Sequence, residues 1–166
     1  RKVFSNIKFR QAMSVAMNRD EINDVAYYGL GKPVQYTGFS PVPDFVDPKW
    51  GSYFIKHDMA LAKSLFDEIG VVDKDGDGFR DLLNGSNLVV NIQYATQGMP
   101  GAVVELIAQH WNNVGIKTIF KEVTPDEYRS AQVANELDVH MWTTAQPLAI
   151  HLGNNDLFLA PFGTYF

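Results

Sequence analysis

The sequence predicts an α/β fold in which helices flank a mixed β-sheet, and three observations carry this prediction. From residue 87 onward, the hydrophobic pattern follows the order strand, helix, strand, helix, strand. Hydrophobic residues make up 46% of the chain and charged residues 20%, which is the balance of a globular protein. A chain of 166 residues is also long enough to bury one substantial core. Because helices connect successive strands, at least part of the sheet is expected to be parallel.

The first part of the chain, residues 1–86, is predicted to consist of helices and loops. Apolar residues recur at helical spacing after Asn6, and Asn18 with Glu21 has the pattern of a capping box that starts a second helix. Four prolines between positions 33 and 48 disfavour both helix and central strand, so a long loop should follow. Asp58 then opens a third helix.

The second part, residues 87–144, is predicted to form a βαβαβ unit, and residues 145–166 are its truncated tail. The strands are short apolar or alternating runs bounded by turn residues, and they are expected at residues 88–94, 116–123 and 138–144. Two helices are expected between them, at residues 103–114 and 125–136.

Composition excludes several classes of function. The 14 Lys and Arg residues against 19 Asp and Glu residues give a formal net charge of −5, which argues against a nucleic-acid or anionic-membrane partner. Without cysteine, the chain has no disulfide, no thiolate zinc site and no cysteine nucleophile. No apolar run approaches the ~20 residues of a membrane span. Because the chain opens at Arg1 and stops after an aromatic segment, we expect a piece of a longer protein.

No motif indicates catalysis. The histidines form no HExxH pair, no serine lies in a nucleophile elbow, and no phosphate-binding glycine loop is present. The acidic pair Asp20 and Glu21 stands at a helix start, where the helix dipole explains it. His110 lies on the apolar face of its helix, which predicts a hydrogen-bonded packing role. We therefore predict a protein that is not an enzyme.

An acidic loop at residues 73–81 has the spacing of a calcium-binding loop. Carboxylates stand at its first, third, fifth and ninth positions, namely Asp73, Asp75, Asp77 and Asp81. The twelfth position is Asn84 instead of a bidentate glutamate. The alternative is an Asp/Gly turn whose carboxylates accept backbone amide hydrogens. No cofactor is expected other than this candidate calcium ion, and a calcium-binding scaffold module is the remote alternative function.

Two of the predicted strands lead into aromatic and uncharged polar side chains that suit ligand binding. In open α/β sheets, ligands bind beyond the carboxyl ends of the strands. The candidate ligand-binding residues follow the first and third strands: Tyr94, Thr96, Gln97, Trp142, Thr143, Thr144 and Gln146. Side by side, they would form half of an uncharged binding wall. The alternative is that Trp142 is a core residue and the polar residues cap loops.

Four segments, in order along the chain, together resemble the extracellular solute-binding proteins of family 5, the oligopeptide- and dipeptide-binding receptors of ABC importers. They are the tandem helices, a Gly-Leu-Gly-Lys-Pro step, a helix with the acidic loop, and a Val-Gly-Ile-Lys turn, at residues 7–22, 29–33, 60–80 and 111–117. The resemblance covers nearly the whole chain.

The resemblance implies a type II periplasmic-binding-protein-like lobe, with this chain as part of the C-terminal lobe of a two-lobed receptor. Such a receptor captures solute outside the cytoplasmic membrane, in the periplasm or at the cell surface, where some members carry a lipid anchor. It closes on the solute by a hinge motion and delivers it to ABC permease subunits. The expected partners are therefore an oligopeptide or oligosaccharide ligand and the permease.

The resemblance leaves the ligand class open. In dipeptide-binding relatives, the strand end similar to residues 141–144 continues to an Asp that pairs with the peptide amine, and here Ala145 stands in that place. An Arg that meets the peptide carboxylate is replaced by Tyr94. Both replacements favour ligands bound by stacking and hydroxyl hydrogen bonds, such as oligosaccharides. Peptide is the family's commonest ligand and stays the first expectation.

Overall fold

The computed structural model describes residues 2–35 and 42–142, and the chain falls into two compact units. The first unit comprises residues 1–33 and 54–142. After a 3-10 helix at Lys2–Ser5, its elements are α1 Ile7–Ala16, α2 Arg19–Tyr27, α3 Met59–Glu68, β1 Val89–Tyr94, α4 Gly101–Asn113, β2 Lys117–Glu122 and α5 Pro125–Val133. The second unit comprises residues 34–53 and 143–166, and its described part contains a 3-10 helix at Pro48–Ser52.

Side-chain caps determine where four of the helices begin. Each cap accepts a backbone N–H from the first helical turn, and the capping residues of α1, α2, α3 and α5 are Asn6, Asn18, Asp58 and Thr124. A cap of this kind stabilises a helix by about 1 kcal/mol relative to alanine. The helix starts predicted at Asn6, Asn18 and Asp58 are therefore confirmed.

His110 alters the capping box predicted for α2. The backbone N–H of Asn18 donates to Nδ1 of His110 at 3.3 Å, whereas a standard capping box would direct it to the Glu21 carboxylate. Glu21 Oε2 instead lies 2.9 Å from His110 Nε2. Because Nδ1 accepts a hydrogen bond from Asn18, Nε2 is the ring nitrogen that donates to the Glu21 carboxylate. His110 is buried and ties α4 to the start of α2, so its predicted packing role is confirmed.

The described sheet consists of β1 and β2, which pair in parallel with Val89 opposite Lys117 and Tyr94 opposite Glu122. Helix α4 makes the crossover between them, as the α/β prediction requires. Alternate residues of β1 point to one face and join the hydrophobic core, which also includes Phe9 of α1 and Phe66 of α3. The core therefore lies between this face of the sheet and helices α1, α3 and α4.

The third strand predicted at residues 138–144 is wrong for its described part. Residues 138–142 form no strand. The Asp138 carboxylate instead accepts hydrogen bonds from the backbone N–H and the side-chain amide of Asn91, both at 3.1 Å. A side chain thus occupies the edge of β1 at Asn91, where a strand backbone was expected.

Candidate ligand-binding site

The carboxyl ends of β1 and β2 lie at the same edge of the sheet because the strands are parallel. A tight turn follows β1 there: the backbone N–H groups of Gly98 and Met99 both donate to the carbonyl of Ala95, at 2.8 and 3.0 Å. This turn exposes Thr96 and Gln97. A hydroxyl and an amide are therefore available for hydrogen bonding at the edge where the ligand was predicted to bind.

Trp142 lies against this turn. A Cβ atom built on Gly98 would come within 2.2 Å of Cε3 of the indole, so the two residues are in direct contact. The indole also stacks on Tyr128 of α5, with ring centroids 5.2 Å apart and an interplanar angle of 28°. The structure therefore brings Trp142 together with the turn that carries Thr96 and Gln97, as predicted. Trp142 remains partly exposed.

Tyr94 does not belong to the exposed wall, and this prediction is wrong. Its side chain is only 6% exposed, and its hydroxyl lies next to Gly101 at the start of α4. Burial raises the pKa of Tyr94, and the charges of Glu122 and Glu105 raise it further. The physical reason is the two-residue period of a strand, which places Tyr94 on the same inner face as Val90 and Ile92.

Sequence reasoning missed Glu122, the last residue of β2. Its carboxylate accepts a hydrogen bond from the Thr96 hydroxyl at 3.1 Å, and its side chain is exposed at the predicted binding edge. The edge therefore carries a negative charge, although it was predicted to be uncharged. The available signal was the parallel pairing itself, which places the end of β2 beside the end of β1. The predicted residues Thr143, Thr144 and Gln146 lie outside the described residues.

The acidic loop brings three of its four predicted carboxylates together. One oxygen from each of Asp73, Asp75 and Asp81 lies within 4.8 Å of the others, and Asp77 is not part of this group. The carboxylates already accept backbone hydrogens: Asp73 accepts from Gly76 at 2.7 Å, and Asp81 accepts from Lys74 at 2.9 Å. Such bonds are what the Asp/Gly turn requires.

Within residues 2–35 and 42–142, none of the helices combines the length and the apolar character that crossing a lipid bilayer demands.

Comparison with known proteins assigns the family. The model of bacterial extracellular solute-binding proteins, family 5 (middle), matches residues 1–161. A probable ABC transporter-binding protein of Deinococcus radiodurans is 36% identical over 118 residues, which are 70% of this chain and 19% of that protein.

Two solved structures show the same fold. An oligopeptide-binding protein OppA is 28% identical with a TM-score of 0.82, and the match covers 99% of this chain and 25% of that one. A mannohexaose-bound periplasmic oligopeptide-binding protein of Thermotoga maritima is 27% identical with a TM-score of 0.69, over 85% of this chain and 28% of that one. The chain thus spans between about a fifth and a little over a quarter of the length of these relatives. Their fold is that of type II periplasmic binding proteins, and the chain belongs to the bacterial extracellular solute-binding proteins of family 5.

Proposed function

We propose that the full-length protein is the substrate-binding component of an ABC importer, which captures oligopeptides outside the cytoplasmic membrane and delivers them to permease subunits. Family membership and the match to an oligopeptide-binding protein over 99% of this chain support the proposal. Within the molecule, the contact between Trp142 and Gly98 is the observation that supports ligand binding at this edge of the sheet. It joins an aromatic side chain to a turn that exposes a hydroxyl and an amide.

The side chains at this edge suit a peptide. Gln97 offers an amide that pairs with a peptide backbone, and Trp142 offers apolar surface. Glu122 supplies a carboxylate for an amine, whether at the peptide's N-terminus or on a lysine side chain. A second lobe would supply the remaining contacts, and the ligand would stabilise the closed receptor because it touches both lobes. This function requires no catalytic step, so we propose that the protein is not an enzyme.

The proposed location is the periplasm or the outer face of the cytoplasmic membrane, in keeping with the extracellular solute-binding family. A lipid anchor is part of the proposal for the cell-surface case, since a receptor held near its permease meets it at a high effective concentration.

An oligosaccharide is the second candidate ligand. The Thermotoga maritima relative is described as an oligopeptide-binding protein, yet its structure contains mannohexaose. In this chain, Ala145 and Tyr94 stand where dipeptide-binding relatives are expected to carry charged partners. Trp142 is the side chain that favours a sugar, because the exposed part of its indole offers apolar surface to the C–H groups of a sugar ring.

Thermal unfolding of the full-length protein with penta-alanine and with mannohexaose separates the two candidates. Ligand that binds only the folded state adds about 2.7 kcal/mol of stability at 100 times its dissociation constant, which raises the Tm by several degrees. We expect a rise with the peptide and none with the sugar. A rise with mannohexaose alone would replace the peptide by an oligosaccharide, and a flat response to both probes would contradict the proposed ligand classes.

A further inference from the structure

We infer that Gly98 is a positioning residue that holds the Trp142 indole in the ligand-binding wall, and that this role excludes any side chain at position 98. The inference rests on the proposed function, because it gives Trp142 a part in ligand binding. Gly98 has no side chain that could contact a ligand, so its role is to leave space for the Trp142 indole.

The contact is a face contact. A Cβ atom on Gly98 would lie 2.2 Å from Cε3, 2.5 Å from Cδ2 and 2.6 Å from Cζ3 of Trp142. Three nearly equal distances to consecutive ring atoms place this point above the ring plane, since an approach along the edge would bring one atom much nearer than its neighbours. Cβ atoms essentially never come within 3.0 Å of another heavy atom in this way, so a methyl group at position 98 must displace the indole or the turn.

The backbone of Gly98 does not itself require glycine. Its φ angle lies outside the left-handed region that L-residues avoid. The three heavy atoms nearest to a Cβ at position 98 all belong to the Trp142 indole, so the indole is the first group that a methyl group there would meet. The close approach of the indole is what restricts this position to glycine.

Two contacts of Tyr128 fix the indole independently. Its ring stacks on Trp142, and its hydroxyl accepts the backbone N–H of Met141 at 3.0 Å. Tyr128 is only 3% exposed, so it forms a rigid support. Displacing the indole from its place beside position 98 would therefore disturb its stacking on Tyr128.

The consequence for binding is preorganisation. Gln97 directly precedes Gly98, and the Gly98 N–H closes the turn through its bond to Ala95. The ring and the turn thus already lie together in the absence of a ligand, so less conformational entropy should be lost when a ligand binds. Displacing the indole should weaken ligand binding even if the fold persists.

The first test uses 19F NMR of the full-length protein containing 5-fluorotryptophan, with the Trp142 resonance assigned by its loss in Trp142→Phe. We expect Gly98→Ala to shift this resonance. Gly51→Ala is the matched control, because a Cβ at Gly51 has no heavy atom within 4 Å, and it should leave the resonance unchanged. An unshifted Trp142 resonance in Gly98→Ala would overturn the inference.

A double-mutant cycle in thermal unfolding keeps the test valid if Gly98→Ala folds poorly. In the Trp142→Ala variant there is no indole for a Cβ at position 98 to clash with. Gly98→Ala should therefore lower the Tm far less in this background than it does in the unaltered protein. An equal loss of Tm in both backgrounds would show that the clash involves another group, and the inference would be wrong.

Ligand affinity separates this inference from the proposed function. Gly98→Ala should weaken binding of penta-alanine or mannohexaose, whichever the unaltered protein binds, by about tenfold, because misplaced contacting groups lose much of their binding energy. A shifted resonance with unchanged affinity would remove Trp142 from the ligand wall and overturn the inference. If neither probe binds, the proposed ligand classes fail, and the NMR result and the cycle alone decide the position of the ring.

Discussion

Arg80 joins the carboxyl-terminal ends of two helices. Its Nε donates to the carbonyl of Val114 at 2.9 Å, just beyond α4, and its Nη1 donates to the carbonyl of Val71 at 2.6 Å, just beyond α3. Asp67 pairs with the same Nη1 at 2.5 Å, and the guanidinium lies 5.2 Å above the centre of the Phe66 ring. Arg80 therefore gives a hydrogen-bond partner to two carbonyls in the segments that directly follow α3 and α4.

Arg80→Lys should destabilise the fold although the charge is kept. One ammonium group cannot reproduce the planar fork that contacts both carbonyls, so at least one buried acceptor loses its partner. We expect the free energy of unfolding to fall by about 1–3 kcal/mol, measured by urea denaturation of the full-length protein. Arg129→Lys on the exposed side of α5 is the control and should change it by less than about 0.5 kcal/mol. Equal effects of the two variants would contradict this role.

Two buried tyrosines should make the folded protein less stable at alkaline pH. Burial raises the pKa of both Tyr94 and Tyr128, so the folded state keeps their protons at pH values where the unfolded chain releases them. Their contribution to the free energy of unfolding is fully present below pH ~10 and is lost as the pH rises through the folded-state pKa.

We therefore expect the Tm to fall as the pH rises above about 10, and Tyr94→Phe to make this fall less steep. Tyr28→Phe is the control because Tyr28 is 85% exposed, and it should leave the slope unchanged. Identical slopes for the unaltered protein and Tyr94→Phe would contradict the burial of the Tyr94 hydroxyl.

At the scale of elements, the sequence predicted the helix starts correctly, because interactions between near neighbours in the chain determine them. Asn6, Asn18 and Asp58 are helix caps in both the prediction and the structure, because a cap depends only on the following turn. The segment after Asp138 was predicted to be a strand from its apolar pattern, but a strand also depends on its partner, and there the Asp138 side chain bonds to β1. The contact between Gly98 and Trp142 joins residues far apart in sequence, so no local pattern reveals it.

The two interpretations of the acidic loop, a calcium site and an Asp/Gly turn, predict different effects of calcium removal on the Tm. Its carboxylates accept backbone hydrogens from Gly76, Gly78 and Lys74, so we expect the loop to hold its shape without a cation. Removing calcium with EGTA should then leave the Tm of the full-length protein unchanged.

Magnesium-EGTA, which chelates calcium while keeping magnesium available, is the control for the EGTA experiment. A fall of many degrees that added calcium reverses would contradict this expectation, because metal binding adds directly to folding stability, and Asp73, Asp75 and Asp81 would then be the candidate ligands in this chain.

At the scale of the whole molecule, the resemblance of several ordered segments indicated the family, and the match over residues 1–161 confirms it. Chemistry at single positions was less predictable. Tyr94 is a core residue, and the carboxylate of Glu122 stands at an edge that was predicted to be uncharged. Resemblance to a family predicts the overall fold. Strand alternation and register determine which side chains face a ligand.

The most direct test of the binding wall is hydroxyl-radical footprinting of Trp142 in the full-length protein, with and without the peptide or sugar probe that binds. If Trp142 faces the ligand, its oxidation rate should fall severalfold when the probe is present, because the ligand covers the exposed part of the indole. Tyr28, which is 85% exposed and distant in sequence from the wall, serves as the internal reference and should keep its rate. An unchanged oxidation rate at Trp142 under saturating ligand would contradict the account.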